Sequence, residues 1–220
     1  MTAPAKTNES VPTVGLKAQL TRGVLPWWLL RTNEMLMMEV RQIKPLPRPL
    51  ENIEVRWGCR EDEPLLQQVR HRAKPYTRHF DDGSLCVIGF VDGKPASYCW
   101  FETSGLHISR TNGYKFRYGP DAAWVFGFEI HPDYRISGIF HKHWKVSMEL
   151  LAGRGVNRVF GSIQADNPHS LQSHRRLGFN VLCRYKMARV CGLIRYIVTP
   201  ENGSGIVAST GVQAWQVRIL

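Results

Sequence analysis

Cysteine is sparse in this 220-residue chain, with only Cys59, Cys86, Cys99, Cys183 and Cys191. An odd number without any CxxC pair argues against a disulfide framework and a zinc ribbon, and predicts reduced thiols, mostly buried. Long apolar runs are also lacking. The best candidate, Val24 to Leu30, falls short of the roughly 18 to 20 residues that a helical membrane span needs, so no membrane association is expected. Met1 to Glu9 is small and polar with no apolar stretch behind a basic start, which argues against a secretory signal and for a cytoplasmic protein. Acidic residues are outnumbered, 18 Asp+Glu against 29 Lys+Arg, for a formal charge of +11. Such an excess favours anionic partners: nucleic acid, acidic lipid or a phosphorylated cofactor. From Arg154 to Arg195, eight basic residues stand against Asp166 alone, so +7 of the total lies there. These residues are not interleaved with aromatics, and no helix-turn-helix or zinc-finger spacing accompanies them, which argues against nucleic acid as a partner.

The apolar fraction of 43% and charged fraction of 21% suit a globular domain with a sizeable core. Lys44-Pro45-Leu46-Pro47-Arg48-Pro49 cannot form regular helix or central strand. The domain boundary is expected there: residues 1–50 as an N-terminal extension and linker, 51–200 as the domain, and 201–220 as a tail. Within the extension, Leu16 to Ile43 reads as a helix followed by a strand. Its Met and Trp cluster is expected to pack rather than to bind a ligand.

Beyond the linker, Ile53 to Trp57 alternates like a half-buried strand, and Glu61-Asp62-Glu63-Pro64 opens a helix with acids in its first turn. Asp92-Gly93 between Leu85–Val91 and Ala96–Phe101 is a hairpin signal. Thr103 to Asp121 is polar and reads as a loop, and Ala122 to Ile130 as a strand ending at His131-Pro132. Phe140, Trp144, Met148 and Leu151 recur at helical spacing between Ile139 and Ala152. Val156 to Ile163 follows as a strand, and Pro168 to Leu177 as a helix capped by Asn167 and closed by Gly178. Val181 to Val190 and Leu193 to Val198 form a final hairpin.

Two segments carry chemistry. Phe128 to Phe140 is a strand, a turn with Gly138, and a helix start, a junction that aims backbone N–H groups and the positive end of a helix dipole at one spot suited to an anion. About thirty residues on, Asn167-Pro168-His169-Ser170-Leu171-Gln172-Ser173-His174-Arg175-Arg176-Leu177-Gly178-Phe179 follows directly on a strand.

These segments together resemble the GCN5-related N-acetyltransferase (GNAT) family. Arg135 and Gly138, after the Ile130/Pro132 strand end, match Arg/Gln-x-x-Gly-x-Gly/Ala, and Asn167, Gly178 and Phe179 match the family's Asn-containing motif without a gap. The resemblance implies a mixed α/β (α+β) acyltransferase fold, a central mostly antiparallel sheet with one splayed parallel strand pair, flanked by helices. It implies acetyl-CoA as cofactor, bound by Ile130, Arg135, Ile136, Ser137, Gly138, Ile139, Phe140, Asn167 and Ser170, and transfer of acetyl to the amine of a small molecule or peptide. Two positions depart from the pattern: Phe140 replaces a small residue, where its bulk would crowd the pyrophosphate loop, and His174 replaces the family's frequent acid, Tyr.

A carboxylate or an imidazole can take a proton from an incoming amine, so Glu129 and His131 are candidate bases, and His174 is a candidate proton donor to the leaving thiolate. For Glu129 a solvent-facing position on the pleat is the competing reading, and for His174 an exposed helix position. His131, His141 and His143 lack further ligands at metal-binding spacing, and no metal is expected. Acceptor recognition is expected from Gln67 to Phe80, made basic by Arg70, His71, Arg72, Lys74, Arg78 and His79, and from Thr103 to Asp121. The alternating Val217 and Ile219 suit pairing with the sheet edge of a second copy, giving a homodimer. The rival functional reading is a degenerate GNAT module that binds acyl-CoA or a protein partner without turnover.

Overall fold

The computed structural model describes residues 30–45, 52–72, 75–109, 112, 114–135, 137–190, 193–204, 206, 209–211 and 215–218. Ile136, Lys74 and Ile219, together with the first half of the Leu16 to Ile43 segment and most of the Pro-rich linker, lie outside them.

The Asp92-Gly93 pair makes the expected two-residue turn, with φ of 49° and 75°, and joins β3 (Leu85–Val91) to β4 (Lys94–Glu102). β2 (Ile53–Gly58) pairs with β3, and β7 (Ala122–Ile130) pairs antiparallel with β4 on its other side. Helix α3 (Ile139–Ala152) then leads to β8 (Arg158–Gln164), the parallel neighbour of β7, and helix α4 (Pro168–Leu177) leads to β9 (Asn180–Val190) and β10 (Leu193–Pro200). Between β2 and β3 lie the short helices α1 (Glu63–Val69) and α2 (Thr77–Asp81). Asp62, at the head of α1, takes a bidentate pair from Arg56 on β2 at 2.7 and 2.8 Å, which holds its carboxyl down at about 2. The result is a mixed α/β protein whose large sheet is antiparallel except for β7 and β8.

The segment before the Pro-rich stretch is not outside this sheet. β1 (Leu30–Val40) lies between β8 and β9, antiparallel to both, so the order, starting from β11 (Ser209–Gly211), is β11-β10-β9-β1-β8-β7-β4-β3-β2. Met35 and Met37 fill one core cluster and Met38 and Val40 another, as packing residues. The chain leaving β1 is tied down as well: Lys44 N donates to the Leu177 carbonyl at 3.0 Å, and His141 Nε2 donates to the Lys44 carbonyl at 2.7 Å.

Thr103 to Asp121 is also not a plain loop. β5 (Leu106–Ser109) and β6 (Tyr114–Arg117) form a hairpin whose Tyr114 and Phe116 are buried. The segment after Pro200 extends both sheets. β11 (Ser209–Gly211) pairs with β10, and β12 (Trp215–Arg218) pairs parallel with β6, placing Val217 opposite Phe116. The Val217 backbone expected to meet a second copy is therefore engaged within its own chain.

One face of the large sheet packs on α3 and α4 through Val87, Phe101, Trp144 and Phe179. On the other face, Trp124, Phe160 and Tyr185 meet the small sheet, and Trp100 and Tyr98 meet α1 and α2.

Candidate active site

β7 and β8 are paired only at Ala122/Arg158, Ala123/Val159 and Trp124/Phe160. Beyond Trp124 the strands part, and a cavity of about 710 Å³ opens between them. Its lining combines Phe126, Glu129 and Ser162 with Phe128, Phe140, Trp144 and His174, side chains from the two faces of the sheet.

A β-bulge sets which side chain faces where. Tyr98 pairs with Glu129 and Trp100 with Phe126, so Cys99 alone opposes Gly127 and Phe128. The extra residue puts Val125 and Phe128 on the α3 face, while Phe126 and Glu129 turn to the side of α1. Gly127 holds the bulge at φ 58°, and a Cβ there would sit 3.3 Å from Trp100 Cδ1. Gly127→Ala should therefore lower stability by about 1–2 kcal/mol, a fall in Tm of about 2–8 °C in a thermal melt. An unchanged Tm would show that the strand accepts an L-residue there.

Glu129 is 29% exposed and its Oε1 accepts from Arg70, just beyond α1, leaving Oε2 without a partner among the described residues. Arg70 is itself placed by the Tyr76 hydroxyl, which donates to the Arg70 carbonyl at 2.8 Å and receives the Tyr98 hydroxyl at 2.8 Å. Phe126, which lines the cavity with Glu129, meets the His79 ring at 5.2 Å, and His79 also meets Trp100 at 4.9 Å. Burial holds His79 below the ordinary histidine value. The basic segment expected to recognise an acceptor is thus partly neutralised, Arg70 on Glu129 and Arg78 on Asp82, while Arg72 lies over the Tyr76 ring and keeps its charge.

On the other face, Phe128 stacks parallel on Trp144 at 5.6 Å, and Phe140 meets Phe128 at 5.3 Å and His174 at 5.2 Å. The bulk of Phe140 is directed into this wall. His174 is ringed by Phe140, Trp144 and Phe179. Its Nδ1 donates to the Ser170 carbonyl at 2.8 Å; since a carbonyl can only accept, the ring proton sits on Nδ1. Burial also holds His174 below the ordinary value. At neutral pH the ring is uncharged with Nε2 bare, an arrangement opposed to the proton-donor role expected from sequence. The expected exposed-helix alternative fails for the same reason, because three aromatic rings enclose it.

Asn167 caps α4, its Oδ1 accepting from Ser170 N at 3.0 Å, and both residues line the cavity together with Ile130, Arg135 and Phe140. Gly138 is the N-cap of α3, and no acidic residue lies in that helix's first turn, so its positive end is not neutralised locally. The Ser137 hydroxyl donates to the Tyr134 carbonyl at 2.7 Å and accepts from Ile139 N at 3.3 Å. The Ile139 side chain is fully buried, so Ser137 and Ile139 shape the turn and do not line the cavity. His131 is not in the lining either: Pro132 starts a tight turn that draws its Nδ1 to Asp133 N at 3.4 Å. Sequence places Arg70 only in the basic segment expected to recognise an acceptor, and gives Phe126, Phe128 and Trp144 no site role. The aromatic density of Trp124 to Phe128 is the one hint of the two phenylalanines.

Gly178, at the close of the second motif, has φ 108° and approaches the Gln42 carbonyl so closely that a Cβ would lie 2.9 Å from it. Glycine is required there on both counts. Among the described residues no group of three or more His, Cys, Asp or Glu is arranged to hold a metal ion, and no helix is long and apolar enough to cross a membrane.

The Acetyltransferase (GNAT) family model matches residues 50–179. No curated protein matches the chain. Among solved structures the chain is similar to a GNAT-family protein from Novosphingobium aromaticivorans, at 17% identity over 84% of this chain and 80% of that one, with a TM-score of 0.51. It is also similar to a GCN5-related N-acetyltransferase from Sphaerobacter thermophilus (17% identity, 73% of this chain and 52% of that one, TM-score 0.49). A third similar structure is the ribosomal-protein-S18-alanine N-acetyltransferase from Escherichia coli (20%, 58% and 77%, TM-score 0.44). At 17% identity the likeness to the Novosphingobium protein is one of fold.

Proposed function

Because the chain belongs to the acetyltransferase (GNAT) family, we propose that it moves an acetyl group from acetyl-CoA to the primary amine of a small molecule or peptide. The observation that carries the reading is the gap between β7 and β8, open from one face of the sheet to the other. The strand edges that part there have backbone donors and acceptors to offer an extended amide-bearing arm, as a sheet edge does to an added strand. The α3 start at Gly138, with Arg135 beside it, suits the cofactor's phosphates, and Asn167 and Ser170 line the route between.

In this reading the acyl donor enters from the α3 and α4 face and the amine from the face of Phe126 and Glu129. The Glu129 Oε2 takes a proton from the amine, nitrogen bonds to the thioester carbon, and the carbon–sulfur bond breaks to release CoA as the thiolate, which takes a proton from solvent while Glu129 returns its own to solvent. Arg70 fixes the carboxylate through Oε1, and Phe128, Phe140 and Trp144 keep water from the thioester. The unpaired thiols Cys59, Cys86, Cys99 and Cys183 suit a cytoplasmic setting.

Calorimetric titration with acetyl-CoA and with CoA tests the binding step, and release of free thiol from acetyl-CoA across a panel of primary amines tests transfer. Micromolar binding that weakens at higher salt is expected, with thiol release for at least one amine. No detectable binding would sink the reading. Binding without thiol release would favour the non-catalytic module, the reading that the neutral His174 supports.

A further inference from the structure

A second cavity, of about 800 Å³, lies at the opposite end of β8 from the parted strands. It is bordered by Arg41, Arg158, Arg175, Asn180 and the 201–204 turn. Beneath it is Glu39, a buried carboxylate on β1. The same oxygen of Glu39 accepts from Arg158 Nε at 2.7 Å and from Arg41 Nε at 3.0 Å, which holds the two guanidinium groups side by side. A guanidinium has five N–H donors, and here each spends the one on Nε. The terminal nitrogens of both have no partner among the described residues, although the Arg158 side chain is only 18% exposed.

Arg175, in the last turn of α4, also lines this cavity and forms no ion pair among the described residues. Three guanidinium groups therefore share one hollow with two carboxylates, Glu39 and Glu201, and the donors of Asn180 and Asn202 stand at its margin. Forks of paired N–H groups held this way match the two oxygens of a carboxylate or phosphate. The hollow is separate from the cleft, and Phe179 borders both.

We propose that this cavity is a binding site for a small oxyanion, a phosphate or a dicarboxylate, held by the terminal nitrogens of Arg41, Arg158 and Arg175. The site does not depend on the acetyl-transfer reading.

The test is a titration of the isotope-labelled full chain with inorganic phosphate and, separately, with succinate, following backbone amide resonances. The amides of Asn180, Asn202 and Gly203 should move, with a midpoint below about 10 mM for at least one anion, and the tighter of the two identifies the head group. Arg41→Gln and Arg175→Gln should each weaken that binding about tenfold. Both side chains are exposed, and Arg158 is kept because its loss would strand the buried Glu39 carboxylate. Resonances that stay fixed in both titrations, or that move only at Gly138 and Phe140, would overturn the proposal. So would an affinity that neither variant changes. Acetyl-CoA titration of the same variants separates the two sites: it should be unchanged, because neither arginine borders the cleft.

Discussion

Glu129→Gln should lower turnover of amine acetylation by about 100- to 10,000-fold while acetyl-CoA affinity stays within about twofold. The substitution keeps shape and keeps an oxygen to accept from Arg70, so the Arg70 tether and the bulge beside it remain. What it removes is the Oε2 lone pair that receives the amine proton, the only change the reacting nitrogen meets. Steady-state thiol release with the best amine from the panel, alongside calorimetry with acetyl-CoA, separates the two quantities. Turnover within a few-fold of the native value would take the base role away from Glu129, and among the described residues no other carboxylate borders the cavity.

Acid should destabilise the protein well before its carboxylates titrate. His143 is fully buried on α3, with Nδ1 2.7 Å from the Ser97 hydroxyl and Nε2 3.2 Å from the Cys99 sulfur, and burial pushes it down to about 3. One ring nitrogen donates and the other accepts, so the neutral ring is satisfied in either tautomer, and a second ring proton would leave the fully buried imidazolium without a carboxylate partner. The unfolded chain takes up that proton near pH 6.5 and the folded chain does not. Stability is therefore full above pH 6.5 and falls as the pH drops towards 3, by up to about 1.4 kcal/mol per pH unit and about 5 kcal/mol in all. His174, also held down by burial, acts in the same direction. Asp62, folded at about 2, adds its own loss only below the ordinary carboxylate range.

Urea midpoints at pH 7, 5.5 and 4.5 measure this slope. His143→Leu should be less stable at pH 7, since Ser97 and Cys99 lose their partner, yet its stability should fall less steeply between pH 6.5 and 4.5. Curves of equal slope would place the acid sensitivity elsewhere.

What could be read from sequence was the local grammar. Asp92-Gly93 fixed a hairpin, the Phe140/Trp144/Met148/Leu151 spacing fixed α3, and Asn167 and Gly178 marked both ends of α4, each because a backbone geometry demands particular residues at a few adjacent positions. The motif residues that reach the cavity, Ile130, Arg135, Phe140, Asn167 and Ser170, were also recoverable, because they lie beside such boundaries. Pairings at long range were not. Arg70 meets Glu129 from 59 residues away, and no periodicity reports such a neighbour. The environment of His174 was hidden for the same reason: its pattern position suggests an acid, whereas its burial depends on rings from α3 and from Phe179, between α4 and β9. β5 and β6 are four residues each and sit among polar residues and glycine. The alternation of Tyr114 and Phe116 was their one visible sign.

The place of β1 bears on how the chain acquires this structure. Its neighbours are made late: Glu39 pairs with Arg158 across 119 residues and Glu34 with Arg184 across 150. Of the described strands β1 is translated earliest, and it must therefore wait, with Met35, Leu36, Met37 and Met38 uncovered, until β8 and β9 have been synthesised. High contact order of this kind slows folding and prolongs exposure of an apolar strand edge. The window between translation of β1 and translation of β9 is when this protein most needs a chaperone's company.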